Sequence, residues 1–288
     1  MGTRVAVLAL AGVVIVGAVT LPVRAQQRAT PQDNPPDVKA LVFELANAMG
    51  MLRGLQQEDS ILTLEQWATG TVTVGQQRFE VPEYRLSVNY AVPGMRLDFS
   101  VKGQNGQALR NIQVVSGATA WNEGERGKNA TPVPNPVSVK DRLVMLWTTP
   151  MGVVKAARMA GANAKVTMSG GSTLLSFPLP APVNDVTMTA TVRKDAGLVA
   201  AHPSALKNIV GAYIVRVQTS GAVVMDTTYA EYGDWNWDDY KADIMLPRRI
   251  VWKYGDQTFE LTTKNTNTYN PYVVMPVPEN VKPQAASR

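Results

Sequence analysis

The sequence predicts an α+β fold: a strongly curved antiparallel sheet, a half-barrel of about ten or eleven strands, with helices covering its concave side. Three observations carry this. Apolar and polar residues alternate with a period of two in one segment after another. One early segment shows the three-and-four spacing of an amphipathic helix. A single helical island interrupts the strands.

The early helix comes first. Asp37 is the expected N-cap, and from Val38 the apolar positions Leu41, Val42, Leu45, Ala48, Met49, Leu52 and Leu55 form one stripe. Lys39, Glu44, Asn47 and Arg53 fall elsewhere, so the spacing predicts a helix through Leu55, packed on a sheet or closing over a hollow. Strands follow. Leu86, Val88, Tyr90 and Val92 alternate with Arg85, Ser87, Asn89 and Ala91. After the turn pair Pro93-Gly94, Met95, Leu97, Phe99 and Val101 alternate with Arg96, Asp98, Ser100 and Lys102. This is a hairpin with one apolar and one wet face.

The same period returns at Val186, Met188, Ala190 and Val192, at Tyr213, Val215 and Val217, and at Phe259 and Leu261. Shorter strands are expected near 70–75, 109–115, 164–168, 172–177, 222–232 and 248–254. In the helical island, Ser138 caps a short helix through Trp147. Thr149-Pro150 then reads as an N-cap with proline at the first helical position of a second helix, which ends at Gly161. Residues 129–137, with Pro132, Pro134 and Pro136, read as an extended connector, and the tail from Pro271 as extended and frayed at its end. A sheet of this many antiparallel strands must curl or close to protect its edges, and the helices are available to cover one mouth.

The chain opens with Arg4, an apolar run from Val5 to Val19, Pro22, and then Val23-Arg24-Ala25, which suits signal peptidase. The expected organisation is a signal peptide over 1–25, a flexible leader over 26–36, a single half-barrel domain over 37–280 and a disordered tail over 281–288. The expected location is periplasmic or secreted, with no transmembrane anchor after cleavage. Cleavage leaves 26 basic against 23 acidic residues, about +3 and without a Lys/Arg block, so no nucleic-acid partner is implied.

Composition also restricts the chemistry. There is no cysteine and a single histidine, His202, which removes cysteine nucleophiles and leaves most metal hydrolysis and His-based triads without their residues. Asp234-Trp235-Asn236-Trp237-Asp238 begins like a calcium loop, but Asp239 stands where glycine is needed and Met245 where a bidentate glutamate is needed. Ser204-Ala205-Leu206-Lys207 matches S-x-x-K without its companion motifs. No spacing among the glutamates singles out a catalytic pair, and Gly170-Gly171-Ser172 is a turn lacking the helix start of a phosphate cradle. No catalytic residue, metal ligand or cofactor is therefore named.

The amphipathic first helix, followed by Trp67 leading into long antiparallel strands, resembles the lipoprotein-carrier fold of LolA and LolB. Thr228-Tyr229-Ala230-Glu231-Tyr232-Gly233-Asp234, then Leu246-Pro247-Arg248-Arg249-Ile250 and strand 258–264, is similar to a Y-x-x-Y…LPxxI arrangement in that group, with Asn270 and Val277-Pro278 fitting its end. Ala120-Trp121-Asn122, Leu146 to Gly152 and Lys155-Ala156-Ala157 also resemble exported bacterial segments that precede metallo-β-lactamase-fold hydrolase domains, whose own metal motif is missing here. The resemblance implies a half-barrel whose hollow holds acyl chains under a helical lid.

The expected function is an exported, non-enzymatic protein binding a lipid-like or other apolar ligand. The expected contact residues are Leu41, Leu45, Met49, Leu52, Leu97, Phe99, Met145, Trp147 and Met188. The alternative is a scaffold or accessory module whose hollow is filled by its own side chains. It would act through protein contacts, in one form beside an exported hydrolase.

Overall fold

A computed structural model describes residues 34–103, 106–133, 136–194, 211–235 and 244–282. The expected signal over 1–25, the leader up to residue 33, His202, the Ser204–Lys207 tetrapeptide, residues 236–243 and the tail beyond Lys282 lie outside the described residues.

Helix α1 spans Pro36–Ala48. Its N-cap is Pro35, not Asp37. Asp37 sits in the first turn, where its negative charge offsets the positive end of the helix. The helix stops earlier than its apolar stripe suggests. Gly50 adopts φ 69°, its N–H donates to Asn47 O at 3.0 Å, and Met51 N–H donates to Ala46 O at 2.9 Å. This paired closure needs a left-handed residue just past the helix, which glycine adopts without cost. Leu52 therefore leaves the stripe and begins strand β1 (Leu52–Arg53), paired with β2 (Glu58–Asp59), while Leu55 lies exposed in the turn between them.

The rest of the strands form one open, curved antiparallel sheet. They are β3 (Thr63–Val74), β4 (Gln77–Asn89), β5 (Gly94–Lys102), β6 (Ala108–Ser116), β7 (Thr119–Glu125) and β8 (Lys128–Pro132), then β9 (Lys165–Ser169), β10 (Ser172–Pro178), β11 (Val186–Arg193), β12 (Tyr213–Gly221), β13 (Met225–Asp234), β14 (Met245–Tyr254) and β15 (Gln257–Asn267). Among the described residues this sheet has thirteen strands, where ten or eleven were expected. Two of the additions are β7 and β8, and β8 occupies residues whose prolines suggest a connector. The order is β8-β7-β6-β5-β4-β3-β15-β14-β13-β12-β11-β10-β9, so two meanders of hairpins meet where β3 pairs with β15.

Between the edge strands β8 and β9 the chain forms α2 (Pro136–Thr148) and α3 (Pro150–Ala160). Helix α2 starts before Ser138, which lies within it and does not cap it. The corner between the helices is built as the sequence suggests. Thr149 caps α3 by accepting Gly152 N–H at 3.2 Å, with Pro150 at the first helical position. A Cβ on Gly152 would sit 2.7 Å from Leu146 O, so only glycine fits the bend. The leader's last residues are tied here too, since Asn34 Nδ2 donates to Ala157 O and Gly161 O at 3.0 and 3.1 Å.

The helices lie on the concave side, where their buried residues join the inward-facing strand residues in one apolar core. A second, smaller cluster lies on the convex face. Ile112 and Val114 on β6 and Trp121 on β7 point outward and are buried beneath Val273, Met275 and Val281 of the segment after β15. That segment is extended, as its prolines suggest, and bound. Asn89 Nδ2 donates to Val273 O at 2.8 Å, and Thr63 Oγ1 donates to Asn270 O at 2.8 Å. Among the described residues, no helix is long and apolar enough to cross a membrane.

Candidate functional site

Alternation decides what faces the hollow. In register, Leu64, Leu86 and Gln66 on β3 and β4 and Met225, Thr227 and Tyr229 on β13 all turn inward, as do Ile250 and Trp252 on β14. Helix α2 lays Met145 and Thr148 over them. The result is an apolar chamber of about 40 Å³, room for a few water molecules, closed at one end by Leu246, Pro247 and the Thr149-Pro150 corner.

A second chamber of about 190 Å³ adjoins it, lined by Leu97, Phe99, Met225, Trp252 and Phe259 and by the polar Gln113, Ser138, Asp141, Arg142, Tyr254 and Gln257. Met145, Met225 and Trp252 line both, so the chambers meet at those three side chains. Aromatic rings form the floor. Trp252 stacks on Phe259 at 4.2 Å between centroids, and Phe99 meets Phe259 edge-on at 5.3 Å.

The polar groups around the chambers are mostly held in place. Arg142, from α2, donates to Val114 O at 2.8 Å, Trp121 O at 2.6 Å and Asn122 Oδ1 at 2.7 Å, fixing the helix to β6 and β7. Burial pulls its pKa down to about 10, still well above neutral. Burial also raises the Asp141 carboxyl above its ordinary value, and the Tyr254 hydroxyl beside it is pushed up to about 12, first by burial and then by Asp141. At the corner, Tyr229 Oη donates to Thr148 O at 2.5 Å. The Thr149 hydroxyl donates to Leu146 O at 2.8 Å, so Tyr90 is the donor in its 2.8 Å bond to Thr149 Oγ1. Tyr84, Tyr90 and Tyr229 are driven upward by burial and stay neutral, acting only as hydrogen-bonding groups. Among the described residues no group of three metal-ligating side chains gathers.

Of the residues named from sequence, Leu97, Phe99 and Met145 come together at the chambers. Trp147 is buried beside Tyr90, its ring centroid 6.4 Å away, and lines neither chamber. Leu41, Leu45 and Met49 are buried on or just after α1, which packs against α3, β9 and β12; Leu52 is half-buried outside the helix, and Met188 is buried on β11. Leu64, Leu86, Met225, Ile250 and Trp252 were not named. Alternation on their strands marks them as facing one side, but which strands meet under α2 depends on long-range pairing.

No family model and no curated protein matches the chain. Solved structures are similar at low identity. A Vibrio parahaemolyticus domain described provisionally as an outer membrane lipoprotein-sorting protein aligns at 10% identity with a TM-score of 0.43, over 81% of this chain and 94% of its own. A DUF1329 family protein from Desulfovibrio piger aligns at 12% identity with a TM-score of 0.39, over 81% and 94%. The Mycobacterium tuberculosis lipoprotein LppX aligns at 9% identity with a TM-score of 0.27, over 84% and 100%. The link to hydrolase-associated segments rests on the sequence resemblance alone.

Proposed function

We propose that this is an exported binding protein that performs no chemistry and carries an amphiphile with an acyl-like chain beneath α2. One observation carries the reading: an apolar chamber and a polar-lined chamber meet at Met145, Met225 and Trp252 under a single helix. Such a cleft matches a ligand with a greasy chain and a hydrogen-bonding end. The sequence resemblance to LolA and LolB points the same way.

The chambers, at about 40 and 190 Å³, are smaller than the roughly 300 Å³ of a typical ligand pocket. The described arrangement is therefore the closed one, and loading requires α2 to move off Leu86, Ile250 and Trp252. Burying ten methylenes contributes about 8 kcal/mol gross, from which the cost of lifting α2 and ordering the ligand is subtracted. Binding of that kind is reversible. The same small volume favours the second reading, a scaffold whose hollow is filled by its own side chains and whose partners are proteins.

Native mass spectrometry of protein purified from its own cell envelope separates the two. A co-purifying lipid adduct, displaced by a fluorescent fatty acid, supports the carrier. A clean apo mass, no uptake of the probe and a tight protein partner would overturn it.

A further inference from the structure

We infer that the convex face carries a second binding site, a depression on the outer side of β3 and β4 that takes a phosphate-class oxyanion between Arg85, Arg110, Arg126 and Lys264. The depression encloses about 400 Å³, more than either inner chamber, and Trp67 lines it. It lies on the opposite side of the sheet from the cleft under α2. Trp67, Arg85 and Asp98 alternate along their strands with the inward-facing Gln66, Leu86 and Leu97, so either site can fill without the other.

Two irregularities shape it. On β4 the pairing gains a residue between Val81 and Tyr84 against β3, and between Glu80 and Glu83 against β5. On β15 it gains Lys264, between the partners of Ala68 and Trp67. Both bulges flank β3 at the same level, and Pro82 and Lys264 both line the depression. Proline has no N–H to lose, so it sits in a bulge without breaking a ladder bond. Paired bulges bend a sheet locally and re-aim side chains, and they are enriched beside functional sites.

The electrostatics favour an anion. Four basic side chains line the depression against two acidic ones, Glu83 and Asp98, and Arg110 donates to both Asp98 oxygens at 2.9 and 2.7 Å. Glu65, beneath, is already engaged by Arg85 at 2.7 Å, Ser87 at 3.2 Å and Asn270 at 2.8 Å. Arg126 is held at 2.7 Å from Ser87 Oγ and lies 3.6 Å from Asp98 Oδ2 through Nη1, beyond hydrogen-bond reach, so neither that Nη1 nor Arg85 Nε has a hydrogen-bond acceptor. The Arg126 guanidinium is depressed in pKa first by burial and then by Arg85 and Arg96, which outweigh Asp98 and Glu65. At Arg126 the neighbouring guanidiniums thus outweigh the carboxylates, whereas Arg110 is raised by its bonds to Asp98, so an anion bound beside Arg126 and Arg85 would offset their mutual repulsion. The basic groups arrive from four separate segments: β4, β6, the β7–β8 turn and β15. That arrangement suits a tetrahedral oxyanion, which accepts from several directions, better than a planar carboxylate. Arg85 lies 4.9 Å from the Trp67 ring centroid, and that cation–π contact holds its fork over the depression.

The test uses the full mature chain and inorganic phosphate, followed through the Trp67 indole N–H signal, assigned with Trp67→Phe. Phosphate should shift that signal saturably and leave the Trp252 indole in place. Lys264 is exposed, so Lys264→Glu spares the core and should weaken the response at least about fivefold, with Arg110→Gln acting in the same direction. Vesicles distinguish a free phosphate from a headgroup. If phosphate is silent but phosphatidylglycerol vesicles, unlike phosphatidylcholine ones, sediment the protein and Lys264→Glu releases it, the oxyanion belongs to a lipid. Silence in both arms overturns the inference, and so does a response from Lys264→Glu and Arg110→Gln as strong as the parent's. The carrier reading is tested by a different probe and a different readout, lipid adducts in native mass spectrometry, so the two can fail separately.

Discussion

Replacing Arg142 with methionine keeps the unbranched apolar stem of the side chain and removes the guanidinium that fixes α2 to the sheet. Three charge-assisted bonds vanish, to Val114 O, Trp121 O and Asn122 Oδ1. Each such bond contributes about 1.5–3 kcal/mol where it is well formed. Against that stands the cost of burying the charge, visible in its pKa of about 10. The reduction from its ordinary value corresponds to roughly 3 kcal/mol of desolvation, less what partial exposure screens. The net loss is about 3 kcal/mol, at the lower end of the range for breaking a buried charged contact. For a chain of this size that lowers the melting temperature by about 6–12 °C. Circular dichroism measures the melting, and stopped-flow uptake of a fluorescent apolar probe measures access to the chambers. If α2 gates the cleft, uptake by Arg142→Met is faster. A midpoint within about 2 °C of the parent would refute the energetic argument, and a large drop with unchanged uptake would refute the gate.

Gly70→Ala places a Cβ 2.0 Å from Glu260 O on the neighbouring strand, so it should cost about 3 kcal/mol in urea unfolding, because backbone on both sides must shift. Thr149→Val removes the α3 cap and the acceptor for Tyr90, and should cost about 1–2 kcal/mol in the same assay. The Glu65 carboxyl is opposed by burial, but bonds from Asn270 and Arg85 hold it below its ordinary 4.5. Its folded pKa is thus lower than its unfolded one. Its contribution is fully present above pH 4.5 and is lost as pH falls through the folded value. The stability gap between parent and Glu65→Gln should therefore shrink on acidification below that point.

Local periodicity made the sheet legible. The alternation from Leu86 and over Met95–Val101 is the β4–β5 hairpin, though β4 ends at Asn89 so that Tyr90 and Val92 fall in the turn, and Thr149-Pro150 is the helix corner. The first helix is shorter than its apolar stripe, because Leu52 and Leu55 continue the spacing of three whereas backbone closure at Gly50 decides where the helix ends. Strand β6 held a signal that went unused. Ile112, Val114 and Val115 are apolar on both faces, which requires a cover on the outside as well, and the segment around Val273 and Met275 supplies it. The cleft was the least legible part. Met225, Ile250 and Trp252 reach Leu64 and Leu86 only through the β3–β15 pairing, across nearly two hundred residues of chain, and no local pattern encodes that meeting.

Because the chain runs from β8 through α2 and α3 to β9, the helical connection joins the two free margins of the sheet as a handle joins the rims of a basket. If the helices lift, that movement and any splaying of the margins are coupled through the chain. If α2 gates the cleft, a tether between β8 and the start of β9 would slow uptake without touching any wall of the cleft.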